Sequence, residues 1–329
     1  MHAFTRRHFT CSLLSLGALG VLPAQAQNRP DTLRIVCGYP PGGSADLICR
    51  KLAERLGGGR FAGQAVVDNK PGAAGRLAVE EVKKANADGS VMLVTPASVV
   101  TMYPHVYRQL SYNPFVDLAP VSAVAATGFA LGVGPRVPAT VTTIEEFARW
   151  CRANPALAQC GNAGAGSMPH FMALMLERDM GVEMTHVPYR GGLVSMQAAA
   201  AGEVAAALAT ESSARALAQT GRLRVLATCW AERSPFFPQV ATCREQGLPR
   251  LTQREWFGAF MPSRTPASVV QATADALRTV AQEPDVRELW ERTGLIVENN
   301  SPAQLLAAMR AEHEFWGPLV KSSGFTPES

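Results

Sequence analysis

The chain has 329 residues, 47% hydrophobic and 18% charged, enough for a sizeable core and, at this length, for two domains rather than one. The formal net charge is +4, and it falls to +2 once a leader carrying Arg6, Arg7 and no acid is set aside; a surface so close to neutral excludes a nucleic-acid partner, which needs a basic stripe. The 28 glycines and 23 prolines are spread along the chain, so turns are frequent but no low-complexity run forms.

Residues 1–26 read as an export leader. Arg6 and Arg7 form a basic start, Leu13 to Leu22 is a short apolar stretch, and Ala24-Gln25-Ala26 is a small-x-small site with cleavage after Ala26. The apolar stretch is too short for a bilayer, which needs about 20 residues. Thr5-Arg6-Arg7-His8-Phe9 fits a twin-arginine signal, although a general secretory signal can also carry two arginines. Cys11 has no small-residue lipobox before it, so no lipid anchor is expected. The expected location is the periplasm, where disulfides are permitted. Six cysteines remain in the mature chain: Cys37, Cys49, Cys151, Cys160, Cys229 and Cys243. Cys229 with Cys243 and Cys151 with Cys160 are the sequence-near pairs, set against buried free thiols, the commoner use of scattered cysteine.

The mature chain alternates short apolar runs with amphipathic helices, an α/β pattern. Leu33 to Cys37 predicts a buried strand, and Pro40-Pro41-Gly42-Gly43-Ser44 turns into a helix with Ile48, Leu52 and Leu56 on one stripe. Ala65 to Asp68 is a second strand, Leu77 to Asn86 a helix and Val91 to Thr95 a third strand, making a βαβαβ unit with a parallel sheet. A second series begins after Val121. Thr142 with Glu145 predicts a capping box for a helix ending near Ala153. A strand at Ala158 to Gly161, a loop at Asn162 to Ser167 and a helix at Met168 to Met180 follow. Then come strand Met184 to Tyr189, the turn Arg190-Gly191-Gly192 with its helix, strand Glu203 to Thr210, helix Ser212 to Thr220 and strand Leu223 to Thr228. In the tail, Thr265-Pro266 and Ser301-Pro302 with Gln304 predict two helix starts. This tail has no sheet of its own, so it is expected to pack back on the first domain.

Three strand ends run into glycine-rich turns that open helices, at Pro41 to Ser44, Asn162 to Ser167 and Arg190 to Gly192. Free N–H groups of a first helical turn and the helix dipole favour an anion, and glycine lets it approach the backbone. A single turn of this kind would only permit tight bending; three at equivalent places point to a ligand at the carboxyl edge of the strands. The anion is not a nucleotide, since neither GxxxxGK[ST] nor the GxGxxG spacing occurs. A small carboxylate fits, and it needs no cofactor and no metal. Signals of catalysis are thin. Ser167 is not in a GxSxG elbow, and His105, His170, His186 and His313 form no HExxH. His313 reads as a packed surface histidine, His186 as core or edge, and His170 as a wall of the ligand loop.

Tyr39-Pro40-Pro41-Gly42-Gly43-Ser44-Ala45-Asp46 and Asp68-Asn69-Lys70-Pro71-Gly72-Ala73-Ala74-Gly75 carry a family resemblance. So do Ala87-Asp88-Gly89, Tyr112 to Asp117, Gly161 to Ser167 with His170, His186-Val187-Pro188-Tyr189-Arg190-Gly191, and Trp256-Phe257-Gly258. In this order, over the whole mature chain, they resemble the Bug family, the solute-binding proteins of tripartite tricarboxylate transport systems. The resemblance implies a two-lobed type II periplasmic-binding-protein fold, each lobe a mainly parallel sheet flanked by helices, with hinge strands between. Lobe 1 is expected over 27–124 and 246–329, and lobe 2 over 125–245. It implies a carboxylate held between the lobes by backbone amides and bridging waters. That role falls by motif on Tyr39, Pro41, Gly42, Gly43 and Asp46 on one side and on Asn162, Gly164, Gly166, Ser167 and His170 on the other. Thr95, Ser98, Arg190 and Gly191 complete the wall. One departure stands out: Ala205 and Ala209 occupy places where many relatives carry aspartates, which leans the ligand towards one without an amino group unless Glu211 substitutes. The expected protein is a monomer without catalytic activity that delivers its solute to membrane permease subunits or presents it to a sensor kinase. The rivals are a periplasmic hydrolase or isomerase using Ser167 and His170, and a scaffold with a vestigial cleft.

Overall fold

A computed structural model describes residues 30–323 and 325. The leader, its arginine pair and its cleavage site lie outside the described residues. Among the described residues, no helix is long and apolar enough to cross a membrane.

The first sheet forms as the apolar runs demand. Leu33, Ile35, Val36 and Cys37 are fully buried in β1 (Thr32–Cys37), and α1 (Ser44–Leu56) lays Ile48, Leu52 and Leu56 against it. After β2 (Gln64–Asn69) and α2 (Arg76–Lys83) comes β3 (Val91–Pro96), buried throughout. β1 lies between β2 and β3 and parallel to both, with Arg34 opposite Val66 on one side and Val91 on the other. Three short helices follow, α3 (Ala97–Thr101), α4 (Tyr103–Val106) and α5 (Pro114–Asp117). They lead into β4 (Leu118–Val133), a strand of 16 residues.

The second series is α6 (Ile144–Ala153), β5 (Gln159–Asn162), α7 (Met168–Met180), β6 (Thr185–Pro188), α8 (Gly192–Ala201), β7 (Ala206–Thr210), α9 (Glu211–Gln219) and β8 (Arg224–Thr228). The chain then returns through β9 (Arg254–Pro262), α10 (Ala267–Gln282), α11 (Pro284–Thr293), β10 (Ile296–Val297) and α12 (Pro302–Ser322). β5 is parallel to β6 and β7, whereas β7 and β8 both run antiparallel to β4.

One strand joins everything. Along its first part, β4 pairs antiparallel with β9, from Leu118 opposite Pro262 to Gly128 opposite Arg254. From Phe129 to Val133 it pairs with β7 instead, Phe129 opposite Thr210. The two βα series therefore share one ten-stranded sheet, with the path β2-β1-β3-β9-β4-β7-β5-β6 and with β8 and β10 each pairing with β4 off that path. β4 carries the chain from the first half to the second and β9 carries it back, which gives a two-lobed α/β architecture with antiparallel strands at the crossing. α10 and α11 pack on the first half: Trp290 donates its indole N–H to the Val124 carbonyl at 3.2 Å, and Thr127 donates to the Gly294 carbonyl at 2.8 Å.

Several expectations shift. The capping box of α6 uses Thr143 and Glu146, one residue beyond the predicted pair, because Thr143 is the last extended residue and Glu146 then sits at the third helical position. Thr265 does not cap α10, whose N-cap is Pro266 without a side-chain bond. The box at Ser301 and Gln304 forms as expected. β4, β9 and α11 have no counterpart among the predicted elements. The six cysteines are buried free thiols; Cys229 and Cys243 face each other at 3.6 Å without a bridge.

At Gly128, where β4 leaves β9, a Cβ would overlap the Trp230 indole. Overpacking of this kind costs about 1–3 kcal/mol. Gly128→Ala is expected to lower the urea midpoint accordingly without changing the slope; an unchanged midpoint would show that Trp230 moves aside freely.

Candidate ligand-binding site

Five helices begin around one cavity. α1 starts after the Pro41-Gly42-Gly43 turn, α3 directly beyond β3, α7 beyond the Asn162 to Ser167 loop, α8 beyond Gly191, and α9 directly beyond β7. Gly43, Ser44, Ala45, Pro96 and Ser98 line the cavity from the first half; Ser167, Gly191, Gly192, Leu193, Thr210 and Ser213 line it from the second. The first N–H groups of a helix have no partner within it. Four of these helices are 9 to 13 residues long, so their positive ends add at the same place. Phe129 and Phe257 supply apolar wall. The cavity holds about 80 Å³, where one enclosed water needs ~10–15 Å³; the space suits a small molecule and not a nucleotide.

The turn before α1 is held by one carboxylate. Gly42 takes a φ of +89°, open to glycine without strain, and its N–H donates to Asp46 Oδ2 at 2.9 Å. Asp46 also accepts from Arg50 Nε at 2.8 Å and from Asn69 Nδ2 at 2.9 Å. Burial pushes this carboxyl up, but Arg50, the Gly42 amide and Asn69 outweigh it and hold it below the usual range. Asp46 is thus the brace of the turn and faces away from the cavity.

The second half closes over this turn. Gly191, at φ +125°, lies beside Pro40 and Tyr39, so close that a side chain there would meet both. Ser44 Oγ hydrogen-bonds Ser212 Oγ at 2.6 Å and Thr210 Oγ1 at 3.2 Å. Tyr107 donates to the Ala165 carbonyl at 2.8 Å. The Pro41 to Ser44 turn and the Asn162 to Ser167 loop do share the cavity, but the segment facing the turn most directly is Arg190 to Leu193.

Of the residues singled out by sequence, Tyr39, Pro41, Gly43, Ser98, Ser167, Arg190 and Gly191 line the cavity. Gly42 and Asp46 shape its turn. Thr95 is buried in β3 with its hydroxyl unpaired. Asn162, fully buried, accepts the Gly164 N–H at 3.0 Å, and Gly164 faces a neighbouring groove against the Gly72 to Gly75 turn. The Gly166 amide is already committed, donating to His170 Nδ1 at 3.0 Å. His170 lies behind the cavity wall against His186 and Phe325; burial and the His186 ring push it down to about 4, so it is neutral at pH 7. Ser167 Oγ is buried without a partner among the described residues. Ser167 and His170 do not form a nucleophile–base pair. His186 pairs with Glu177 at 2.8 Å, and His313 stacks on His105 with centroids 4.0 Å apart.

Glu211 does not supply a charge to the cavity. It is fully buried elsewhere, accepting from Trp230 Nε1 at 2.8 Å and Ser234 Oγ at 2.7 Å, because the start of α9 turns it towards that loop. Of the two alanines that stand where relatives carry aspartates, Ala209 in β7 lines the cavity, and Ala205, just before that strand, is fully buried. Sequence reasoning missed Glu255, which reaches the cavity from β9. It stands next to the Trp256-Phe257-Gly258 motif, but only the unforeseen β9 brings it here.

Residues 48–325 match the model of the tripartite tricarboxylate transporter family receptor. A protein from the gbd 5' region of Cupriavidus necator is 33% identical over 293 residues, 87% of this chain and 86% of the relative. A Rhodopseudomonas palustris protein solved with adipate superposes with a TM-score of 0.84 at 26% identity, covering 90% of this chain and 98% of its own. A second protein of that organism, with bound malate, gives 0.80 at 26% identity over 88% and 98%.

Asp46→Ala leaves the Gly42 N–H without its acceptor and removes one bond each from Arg50 and from Asn69, which keeps its bond to the Tyr39 carbonyl, and a loss of about 1–3 kcal/mol is expected in urea at pH 7. Because the folded pKa lies below the unfolded 3.8, this contribution is full above the unfolded value and disappears as pH falls through the folded one. The gap between wild type and variant should narrow over that acid range; a constant gap would count against the brace.

Proposed function

Because the chain belongs to the tripartite tricarboxylate transporter receptor family, we propose that it is a periplasmic solute-binding protein that captures a small carboxylated solute between its lobes, does no chemistry on it, and hands it to a membrane transporter of that type. The observation that carries this reading is the convergence of helix starts from both halves on one small cavity. The relatives with adipate and malate support the ligand class.

On this reading lobe 1 comprises 27–124 and 246–329 and lobe 2 comprises 125–245; the change of partner within β4, from β9 to β7, supports a two-lobe division. Residues 1–26 are the export leader, removed after Ala26. In the open form the amides of the two lobes face water separately. A carboxylate that accepts from both stabilises the closed form by its differential affinity for it. Tyr39, Gly43, Ser98, Ser167, Arg190 and Gly191 are the nearest contacts for the solute.

Native mass spectrometry of the protein as purified, followed by thermal unfolding with mono-, di- and tricarboxylates, tests the reading. A bound ligand should be recovered unaltered and in one-to-one ratio. At 100 times its dissociation constant it should add about 2.7 kcal/mol and raise the midpoint. Conversion of the ligand, or no midpoint shift across the whole panel, would refute it.

A further inference from the structure

The cavity contains one acidic side chain, and no cation of the described chain contacts it. Glu255 is 3% exposed and lines the cavity between Phe257 and Ser98. Its Oε1 accepts the Ser98 N–H at 3.1 Å and its Oε2 accepts the Ser98 hydroxyl at a long 3.3 Å, with the Ala97 backbone N–H also directed at the carboxyl. All this sits where helix starts converge, a place that attracts anions. An ionised carboxylate there would compete with the solute for the same donors and repel it. A neutral carboxyl would do the opposite, because its O–H is a donor and needs an acceptor.

Resting on the reading of the site as a carboxylate receptor, we propose that Glu255 is a specificity-determining residue which, as a neutral carboxylic acid, donates a hydrogen bond to the second carboxylate of a dicarboxylate whose first carboxylate is held by the helix starts. The geometry asks for this division. The lining offers both kinds of partner, the Gly43 and Gly192 turns that open α1 and α8 and the side chains of Glu255 and Ser98. A dicarboxylate supplies an acceptor at both ends. A cationic amine at the second end would instead face the positive ends of the helices.

The surroundings of Glu255 favour its proton. Burial is the largest influence and raises it; the Ser98 amide and hydroxyl and the Ala97 amide oppose that, Glu312 on α12 adds to it, and the result is about 8. Glu312 is itself buried and pushed up by burial, accepting from Trp256 Nε1 at 2.5 Å and from Thr101 Oγ1 at 3.4 Å, with Arg254 beside it. Tyr39 and Tyr103 also feel Glu255, and burial raises both phenols well above their usual range. Arg190 stands exposed at the rim. Among these groups, Glu255 is the one that lines the cavity with a titration point near pH 8.

The sign follows from linkage. Solute binding requires the protonated form, so affinity is constant below about pH 8 and falls about tenfold per pH unit above it. Calorimetric titration from pH 6.5 to 9.5 with two matched sets, succinate, butyrate and 4-aminobutyrate, and adipate, hexanoate and 6-aminohexanoate, tests this on the mature full chain. The expected result is a dicarboxylate bound at least tenfold more tightly than its matched monocarboxylate at pH 6.5, with that preference lost above pH 8. Glu255→Gln keeps a neutral donor, so it should keep the preference and flatten the pH profile. Glu255→Ala should remove the preference while monocarboxylate binding stays. Glu312→Gln should retain the profile with its midpoint moved to lower pH, since one acidic neighbour is gone.

The inference is overturned if the amino acid of either set binds most tightly and Glu255→Gln abolishes that binding, which would make Glu255 a counter-charge. It is equally overturned if dicarboxylate affinity is flat with pH in the wild type, or if Glu255→Gln retains the wild-type profile. In these cases carboxylate capture stands and only the role of Glu255 falls. If the wild type binds none of the six compounds, this inference falls, while the receptor reading is decided by the wider panel of mono-, di- and tricarboxylates.

Discussion

The structure turns on unpaired backbone N–H groups held in opposition. A helix leaves its first amides without partners, and here helix starts from both halves of the molecule line one cavity. Water satisfies such groups when the halves are apart. When they close, one acceptor must serve both sides or buried donors go unmet, at about 1–3 kcal/mol each. An anion small enough for the cavity meets that demand, and its negative charge matches the summed dipoles. Capture and closure are then the same event.

The rest of the architecture places these starts. Parallel βα units put every helix start at the carboxyl edge of its sheet, and two such sheets must be set edge to edge for the starts to face one another. β4 does this by changing partners in mid-course, from β9 to β7, at Gly128 and Phe129. β9 returns the chain beside it and carries Glu255 and Phe257 into the cavity. α10 to α12 then cover the first half, with Trp290 and Trp316 fully buried. The Asp46 brace adds the last local constraint by fixing the Gly42 turn so that the α1 amides point into the gap.

Much of this was legible in the sequence. The turns at Pro41 to Ser44 and Arg190 to Gly192 announce themselves through glycine and proline before an apolar stripe, and both line the cavity. The buried strands β1 and β3 read directly from runs of Leu, Ile and Val. β4 was not legible, because a strand buried on both faces shows no alternation, and its run of alanines, glycines and threonine lacks the β-branched signature. β9 was hidden for another reason. An antiparallel strand inserted among parallel ones returns from far along the chain, and nothing local marks its neighbours. Since Glu255 depends on β9 for its position, the one acid lining the cavity could not be foreseen, while Glu211, open as a substitute for the missing aspartates, turns to Trp230 and Ser234. Motif position put His170 beside the ligand loop, and its ring accepts from the Gly166 amide of that loop.

A crystal structure of the protein with a dicarboxylate bound decides whether opposed helix starts grip the solute. One carboxylate group should lie within hydrogen-bond distance of backbone N–H groups from both the Gly43 to Ala45 start and the Gly192 to Val194 start. A ligand touching amides of one half alone, or seated in the groove between Met168 and Trp316, would contradict it.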